Sequence, residues 1–211
     1  MTPSPAREDL PGILLRALRD CVIVDCETTG LDPAVDRIIE VAALRIRVGR
    51  PVAVFHRLVD PGRPLPGIIV SLTGLTDARV RGAPPVEEIL GDLSEFLAGH
   101  TVVGHNVDFD LAFINAEISG AHRAARSVSP TVCTAESARA LIPRSRVGRY
   151  SLTTLAEVLA LDHRPVHRSV SDVLATLDLL HHLCTVSGAE TSGPTAAHDP
   201  VLTGRAFLPA E

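Results

Sequence analysis

Residues 22 to 30 read Val-Ile-Val-Asp-Cys-Glu-Thr-Thr-Gly, an apolar run that ends in two carboxylates one residue apart and then a turn. The short, continuous apolar stretch from Cys21 to Asp25 suits a strand buried on both faces. On a strand, residues i and i+2 project from the same face, so Asp25 and Glu27 point together while Cys26 points into the opposite layer. Two like charges this close repel unless one is protonated or a cation lies between them, and oxygen-only ligands suit Mg2+ or Mn2+. Thr28-Thr29-Gly30 then turns the chain, with backbone N–H groups near the same spot. An acidic pair of this kind, met alone, more often just ends a strand in solvent. The reading depends on what the rest of the chain adds.

The 211 residues fit one domain with an ordinary core, or one domain and a tail. A hydrophobic content of 45% with 21% charged residues places the chain among globular proteins. The formal net charge of -5 argues against a broad basic surface that coats long nucleic acid. A polyanion would have to be gripped locally, and Arg144, Arg146 and Arg149, or Arg79 and Arg81, are local sources of charge. Four cysteines without a CxxC pair read as reduced, buried thiols, not as a zinc site. The first dozen residues are charged and proline-rich, and the following Ile13–Leu18 is interrupted by Arg16, too short for a secretory core or a membrane span. A cytoplasmic location is expected.

After the first strand, Ile38–Val48 and Val52–Val59 each alternate and flank Gly49-Arg50-Pro51, which predicts an antiparallel hairpin. The period then lengthens. Val86, Ile89, Leu90, Leu93, Phe96 and Leu97 share a helical face after Pro84-Pro85, with Gly99 closing the helix. Thr101–Gly104 predicts a strand, followed by a helix through Leu111, Ile114 and Ile118 that ends near Gly120. Further helices are expected at about 134–141, 151–161 and 170–184, the second capped by Ser151. A hairpin followed by alternating strands and helices indicates a mixed sheet covered by helices, an α/β domain. The expected organisation is an N-terminal extension over 1–19, a domain over 20–186 and a flexible tail over 187–211, the last from its Ser, Thr, Gly, Ala and Pro content.

Two stretches join the first motif. In Gly104-His-Asn-Val-Asp-Phe-Asp110 a strand hands over to a helix, placing Asp110 in the opening turn near the sheet edge where ligands of open α/β folds gather, with Asp108 as the helix cap. In His167-Arg-Ser-Val-Ser-Asp172, five helical residues rotate about 500 degrees, so the two ends do not share a helical face. His167 is expected in the loop before the last helix, Asp172 in its first turns, and Ser169 as the cap. Phe109 precedes Leu111 and Phe113 and reads as core.

Taken in order, DxE, HNxxFD and HxxxxD resemble the DEDDh group of 3'-to-5' exonucleases, the family of the proofreading epsilon subunit of bacterial DNA polymerase III. The resemblance covers about residues 20 to 185 and includes Ser71–Thr76 and Tyr150-Ser-Leu152. It implies a ribonuclease H-like fold, a mixed five-stranded sheet with helices on both faces. It also implies Asp25, Glu27, Asp110 and Asp172 as ligands of two divalent ions, Mg2+ or Mn2+, and His167 as the histidine, a residue type whose ordinary pKa of about 6.5 suits a base near neutral pH. The likeness further places Thr28, Thr29, Gly30 and Leu31 against the terminal nucleotide, with Thr73 and Asn106 as further contacts. With aromatics at 3% and no Trp, extended base stacking is not expected.

The activity implied is release of nucleoside 5'-monophosphates from single-stranded or frayed DNA ends, in proofreading or repair. Two alternatives stand beside it: a 3'-to-5' exoribonuclease acting on short RNA or RNA ends, and a non-catalytic subunit that binds a polymerase. The wording Cys-Glu-Thr-Thr-Gly looks more like the polymerase-associated branch than the oligoribonuclease branch, which favours DNA. A glutamine-led clamp-binding motif is missing, since the chain contains no glutamine, and Arg205–Pro209 is a lone apolar patch in the tail.

Overall fold

The β1 strand, Asp20–Thr28, lies at the centre of a five-stranded sheet and alternates its side chains between two cores. Cys21 and Ile23 enter one core; Val22, Val24 and Cys26 enter the other. The structure is a computed structural model that describes residues 9–120 and 130–189. Residues 1–8 and 190–211, the latter with the Arg205–Pro209 patch and most of the expected tail, lie outside the described residues.

The sheet contains β1, β2 (Ile38–Arg47), β3 (Arg50–Leu58), β4 (Thr101–Gly104) and β5 (Thr131–Cys133), in the order β3-β2-β1-β4-β5. β2 runs antiparallel to both of its neighbours, β1 and β3, and β4 and β5 run parallel to β1. The carboxyl ends of β1 and β4 therefore open on the same edge. The helices are α1 (Leu10–Arg19), α2 (Gly67–Thr73), α3 (Asp77–Val80), α4 (Val86–Leu97), α5 (Val107–Gly120), α6 (Thr134–Leu141), α7 (Arg144–Val147), α8 (Leu152–Val158) and α9 (Ser169–Val186). One core joins the sheet to α1, α6, α8 and α9, and the other joins it to α4 and α5, so both faces are covered.

Several local expectations change. The hairpin turn is Val48-Gly49, both at positive φ (49° and 71°), and not Gly49–Pro51. Two consecutive left-handed residues match the twist of a tight hairpin, and Pro51 is tolerated inside β3 because that strand is at the sheet edge, beside a bulge at Arg45/Ile46. Residues 10–19, expected as an extension, form α1, whose Leu14, Ala17 and Leu18 are buried in the core with α9. Pro11 is compatible with that helix because it sits in the first turn, where a missing N–H is not needed. Asp108 lies within the first turn of α5 and is not its cap, since the helix begins at Val107. Ser169 likewise falls inside α9, with Arg168 as the residue before it. Ser151 does cap α8: its side chain accepts from Thr154 N at 3.3 Å.

Candidate active site

Asp25 and Glu27 share the β1 face that looks toward α9, and the strand pairing sets Glu27 directly beside Glu40 of β2. A register shift between Glu27 and Thr28 ends the regular pairing there and starts the turn. Asp110, in the opening turn of α5, reaches over the sheet edge, and its Oδ1 accepts from the Cys26 backbone N at 2.9 Å. That bond spans 84 residues of sequence and fixes the second motif on the first. Asp172, in the first turn of α9, accepts from Val166 N at 3.1 Å, which draws in the loop that carries His167. Ligand atoms of Glu27, His167 and Asp172 all lie within 4.8 Å of one another.

The structure thus brings all five expected residues to one place. Asp110 and Asp172 are buried, Glu27 is 9% exposed and His167 is exposed. His167 is held in a left-handed backbone conformation, φ 54°, uncommon for a residue with a side chain.

The electrostatics are those of a cation trap. Burial pushes the Asp25 carboxyl well above the usual range, and the charges of Asp110, Asp172, Glu27 and Glu40 push it further. Glu27 is raised to about 8, first by burial and then by Asp172 and Glu40. Burial raises Asp110 and Asp172 too, each partly offset by backbone hydrogen bonds. Asp25 Oδ2 is buried without a hydrogen-bond partner among the described residues. An orphaned carboxylate oxygen within a ring of acids fits a divalent cation, since hard oxygen donors suit such ions.

Glu40 behaves in the opposite sense. Burial alone would raise it, yet hydrogen bonds from His56, Arg168 and the Ser169 N–H outweigh that and hold it at about 2. Arg168 grips it with two nitrogens, Nε to Oε2 at 3.0 Å and Nη2 to Oε1 at 2.7 Å, while Ser169 N donates to Oε2 at 3.1 Å. This bracket secures the two residues that follow His167. Glu40, Arg168 and His56 were not singled out from the sequence; the signal was an acid inside the apolar run Ile38-Ile39-Glu40-Val41, which a buried strand does not tolerate without partners.

The expected substrate contacts fall into two groups. Leu31 is 83% exposed at the tip of the turn after β1, and Asn106 is exposed at the head of α5 with φ 75°. Thr29 and Thr73 are buried, with hydroxyls already engaged. Thr29 Oγ1 bonds Asp36, Arg37 N and Arg63, and Thr73 Oγ1 bonds Ile69 O and Leu75 N. Thr28 donates to the Gly30 carbonyl. A Cβ at Gly30 would stand 2.3 Å from the Asp36 carboxylate and would push it off its bonds to Thr29 and Asp32 N. The side chains of Thr29 and Thr73 are therefore committed to the protein's own structure; what they could offer a ligand is backbone.

A central strand flanked by an antiparallel hairpin and two parallel strands, with helices on both faces and acids at its carboxyl end, defines a ribonuclease H-like α/β protein. The chain belongs to the exonuclease family, whose model matches residues 22–180. It is 35% identical over 158 residues to the DNA polymerase III subunit epsilon of Aquifex aeolicus, covering 75% of this chain and 77% of that one. It is also 35% identical over 159 residues to a PolC-type DNA polymerase III of Bacillus cereus, but spans only 11% of that much longer protein. Among solved structures, exonuclease X in complex with 5' overhanging duplex DNA aligns with a TM-score of 0.63 and 26% identity, over 80% of this chain and 93% of that one. A zinc-bound E. coli ExoI–ssDNA complex shares the fold, with a TM-score of 0.70 at 18% identity over 82% of this chain and 41% of that one. Among the described residues no helix is long and apolar enough to cross a membrane.

Proposed function

We propose that the protein is a metal-dependent 3'-to-5' exonuclease that releases nucleoside 5'-monophosphates from single-stranded or frayed DNA ends. The observation that carries the reading is the convergence of Asp25, Glu27, Asp110 and Asp172 from three remote segments, with Asp25 Oδ2 buried and unpartnered beside them. In this reading the four carboxylates hold two divalent ions, Mg2+ or Mn2+. Bound there, the ions would neutralise the scissile phosphate and acidify water beside it. His167, exposed and within 4.8 Å of Glu27 and Asp172 ligand atoms, takes the proton of the attacking water. The Glu40–Arg168 bracket and the Asp172–Val166 bond hold that imidazole in position.

Thr28, Thr29, Gly30 and Leu31 form the seat for the terminal nucleotide. Leu31 presents a large apolar side chain to solvent beside a polar site, which suits contact with a base face. The names of the relatives, polymerase III subunits and DNA-bound exonucleases, support DNA as substrate and a polymerase as partner.

Product analysis on single-stranded DNA labelled at its 3' end tests the reading. It requires labelled mononucleotides from wild type, no product with EDTA, and none from Asp25→Ala with its fold intact. Internal fragments, or undiminished release by Asp25→Ala, would overturn it.

A further inference from the structure

Beside the candidate active site an open groove of about 500 Å³ is lined by His105, Asn106, Arg139, Arg144, Arg149 and Tyr150, among others, and no carboxylate lines it. In a chain with net charge -5 a groove with three exposed cations and no lining acid is a local reversal of sign. All 20 cationic residues of the chain are arginines, the side chain whose planar fork matches phosphate oxygens. Among the described residues none of these three arginines pairs with a carboxylate; Arg144 Nε donates only to the Gly148 carbonyl, at 3.3 Å. Their charges are thus available to an anion.

The groove is a built surface. His105 Nε2 lies 2.8 Å from the Tyr150 carbonyl, which can only accept, so that nitrogen carries the proton, and Nδ1 faces Thr134 Oγ1 at 3.0 Å. Burial lowers the His105 pKa, which keeps the ring neutral and the bond intact. Tyr150 OH donates to the Ile142 carbonyl at 2.7 Å, and the Arg139 guanidinium stands 5.9 Å from the Tyr150 ring centre. Gly148, at φ 69°, reverses the chain after α7 so that Arg144 and Arg149 border the same space. Asn106, which lines one wall, immediately precedes α5, whose first turn carries Asp110, so groove and acidic cluster share that helix end.

We infer that this groove is a binding track for the backbone phosphates of the substrate strand upstream of its terminal nucleotide, gripped by Arg139, Arg144 and Arg149. The inference rests on the nuclease reading above. It supplies what an acidic active site lacks, since a strand whose end is drawn into carboxylates and cations needs positive charge elsewhere to hold its following phosphates. With its arginines committed to phosphates, the track would read charge and spacing, not sequence.

The test combines single Arg→Gln variants and the triple variant R139Q/R144Q/R149Q with Arg→Lys counterparts. Binding of a fluorescent 12-nucleotide single strand is followed by anisotropy across a salt series, and turnover is measured on a dinucleotide and on the 12-mer. Each phosphate contact contributes roughly 0.7 to the log–log salt slope on single strands, so the triple Gln variant should lose roughly 2 from that slope. KM for the 12-mer should rise about tenfold or more at low salt while its kcat is retained, KM for the dinucleotide should move less than about twofold, and the Lys variants should recover most of the affinity. An unchanged salt slope and unchanged 12-mer KM in the triple variant would overturn the track, as would equal losses on both substrates. If wild type hydrolysed neither substrate, the nuclease reading would fail, and the anisotropy slopes would still decide the groove.

Discussion

Replacing Glu27 by glutamine should make the metal-free protein more stable at alkaline pH while destroying its response to metal. Glu27 is 9% exposed and stands beside Glu40 and Asp172, which with burial raises its pKa from 4.5 to about 8. The folded state therefore holds a proton that the unfolded chain releases between about pH 4.5 and 8. A raised acid contributes its stability below the unfolded value and loses it as pH rises through the folded value, so metal-free stability falls across that window. At about 1.36 kcal/mol per pH unit the loss from this one group is on the order of 5 kcal/mol at pH 8. For a chain of this size that corresponds to roughly 10–20 °C in Tm. Glutamine cannot ionise and escapes the loss. Calorimetry in EDTA should give equal Tm values for wild type and Glu27→Gln at pH 5, with the variant melting at least about 10 °C higher at pH 8. Added Mn2+ should raise wild type at pH 8 and leave the variant nearly unmoved. Equal melting of the two proteins at pH 8 in EDTA would show that burial and the neighbouring acids do not hold Glu27 protonated.

His167→Ala should lower kcat by about 10²–10⁴ and flatten the limb of the pH–rate profile that the base governs, with metal-induced stabilisation largely kept; stopped-flow turnover across pH 6–9 checks it. Glu40→Ala strands Arg168, His56 and the Ser169 N–H together and should cost about 3–5 kcal/mol in chemical denaturation. Because Glu40 is held at about 2, its contribution is present above pH 4.5 and lost as pH falls toward 2, so the variant should also lose that part of the wild type's acid-unfolding slope. Leu14→Ala opens a hole between α1 and α9 and should cost about 2–5 kcal/mol by urea titration, whereas an extension outside the domain would cost nothing.

What the sequence revealed followed from periodicity and from charge. The apolar run before Asp25, the helical face from Val86 to Leu97 and the alternation of the two hairpin strands each imply one element, and those elements formed within a few residues of expectation. Two acids on one strand face, a third in the opening turn of a helix and a fourth in the opening turn of another located the candidate site, because only a compensated cluster explains them together. Less was readable where tertiary partners decide. Helix α1 begins with Leu-Pro-Gly, which locally signals a turn, and is helical because Leu14 and Leu18 find α9 across the core. Short helices such as α2 and α7 are too brief for a period to emerge. The acid within the apolar run of β2 signals that Glu40 needs a partner, but nothing local identifies that partner as Arg168, 128 residues later. Thr29 is expected at the substrate by family likeness alone; its hydroxyl is in fact consumed by Asp36, Arg37 and Arg63.

Whether these carboxylates form a cation site is decided by the anomalous scattering of crystals soaked in Mn2+ with a nucleoside 5'-monophosphate. Mn2+ peaks are expected within bonding distance of Asp25, Glu27, Asp110 and Asp172, next to the nucleotide phosphate and lost in Asp25→Ala crystals. Peaks elsewhere on the molecule, with none among those four side chains at saturating Mn2+, would contradict it.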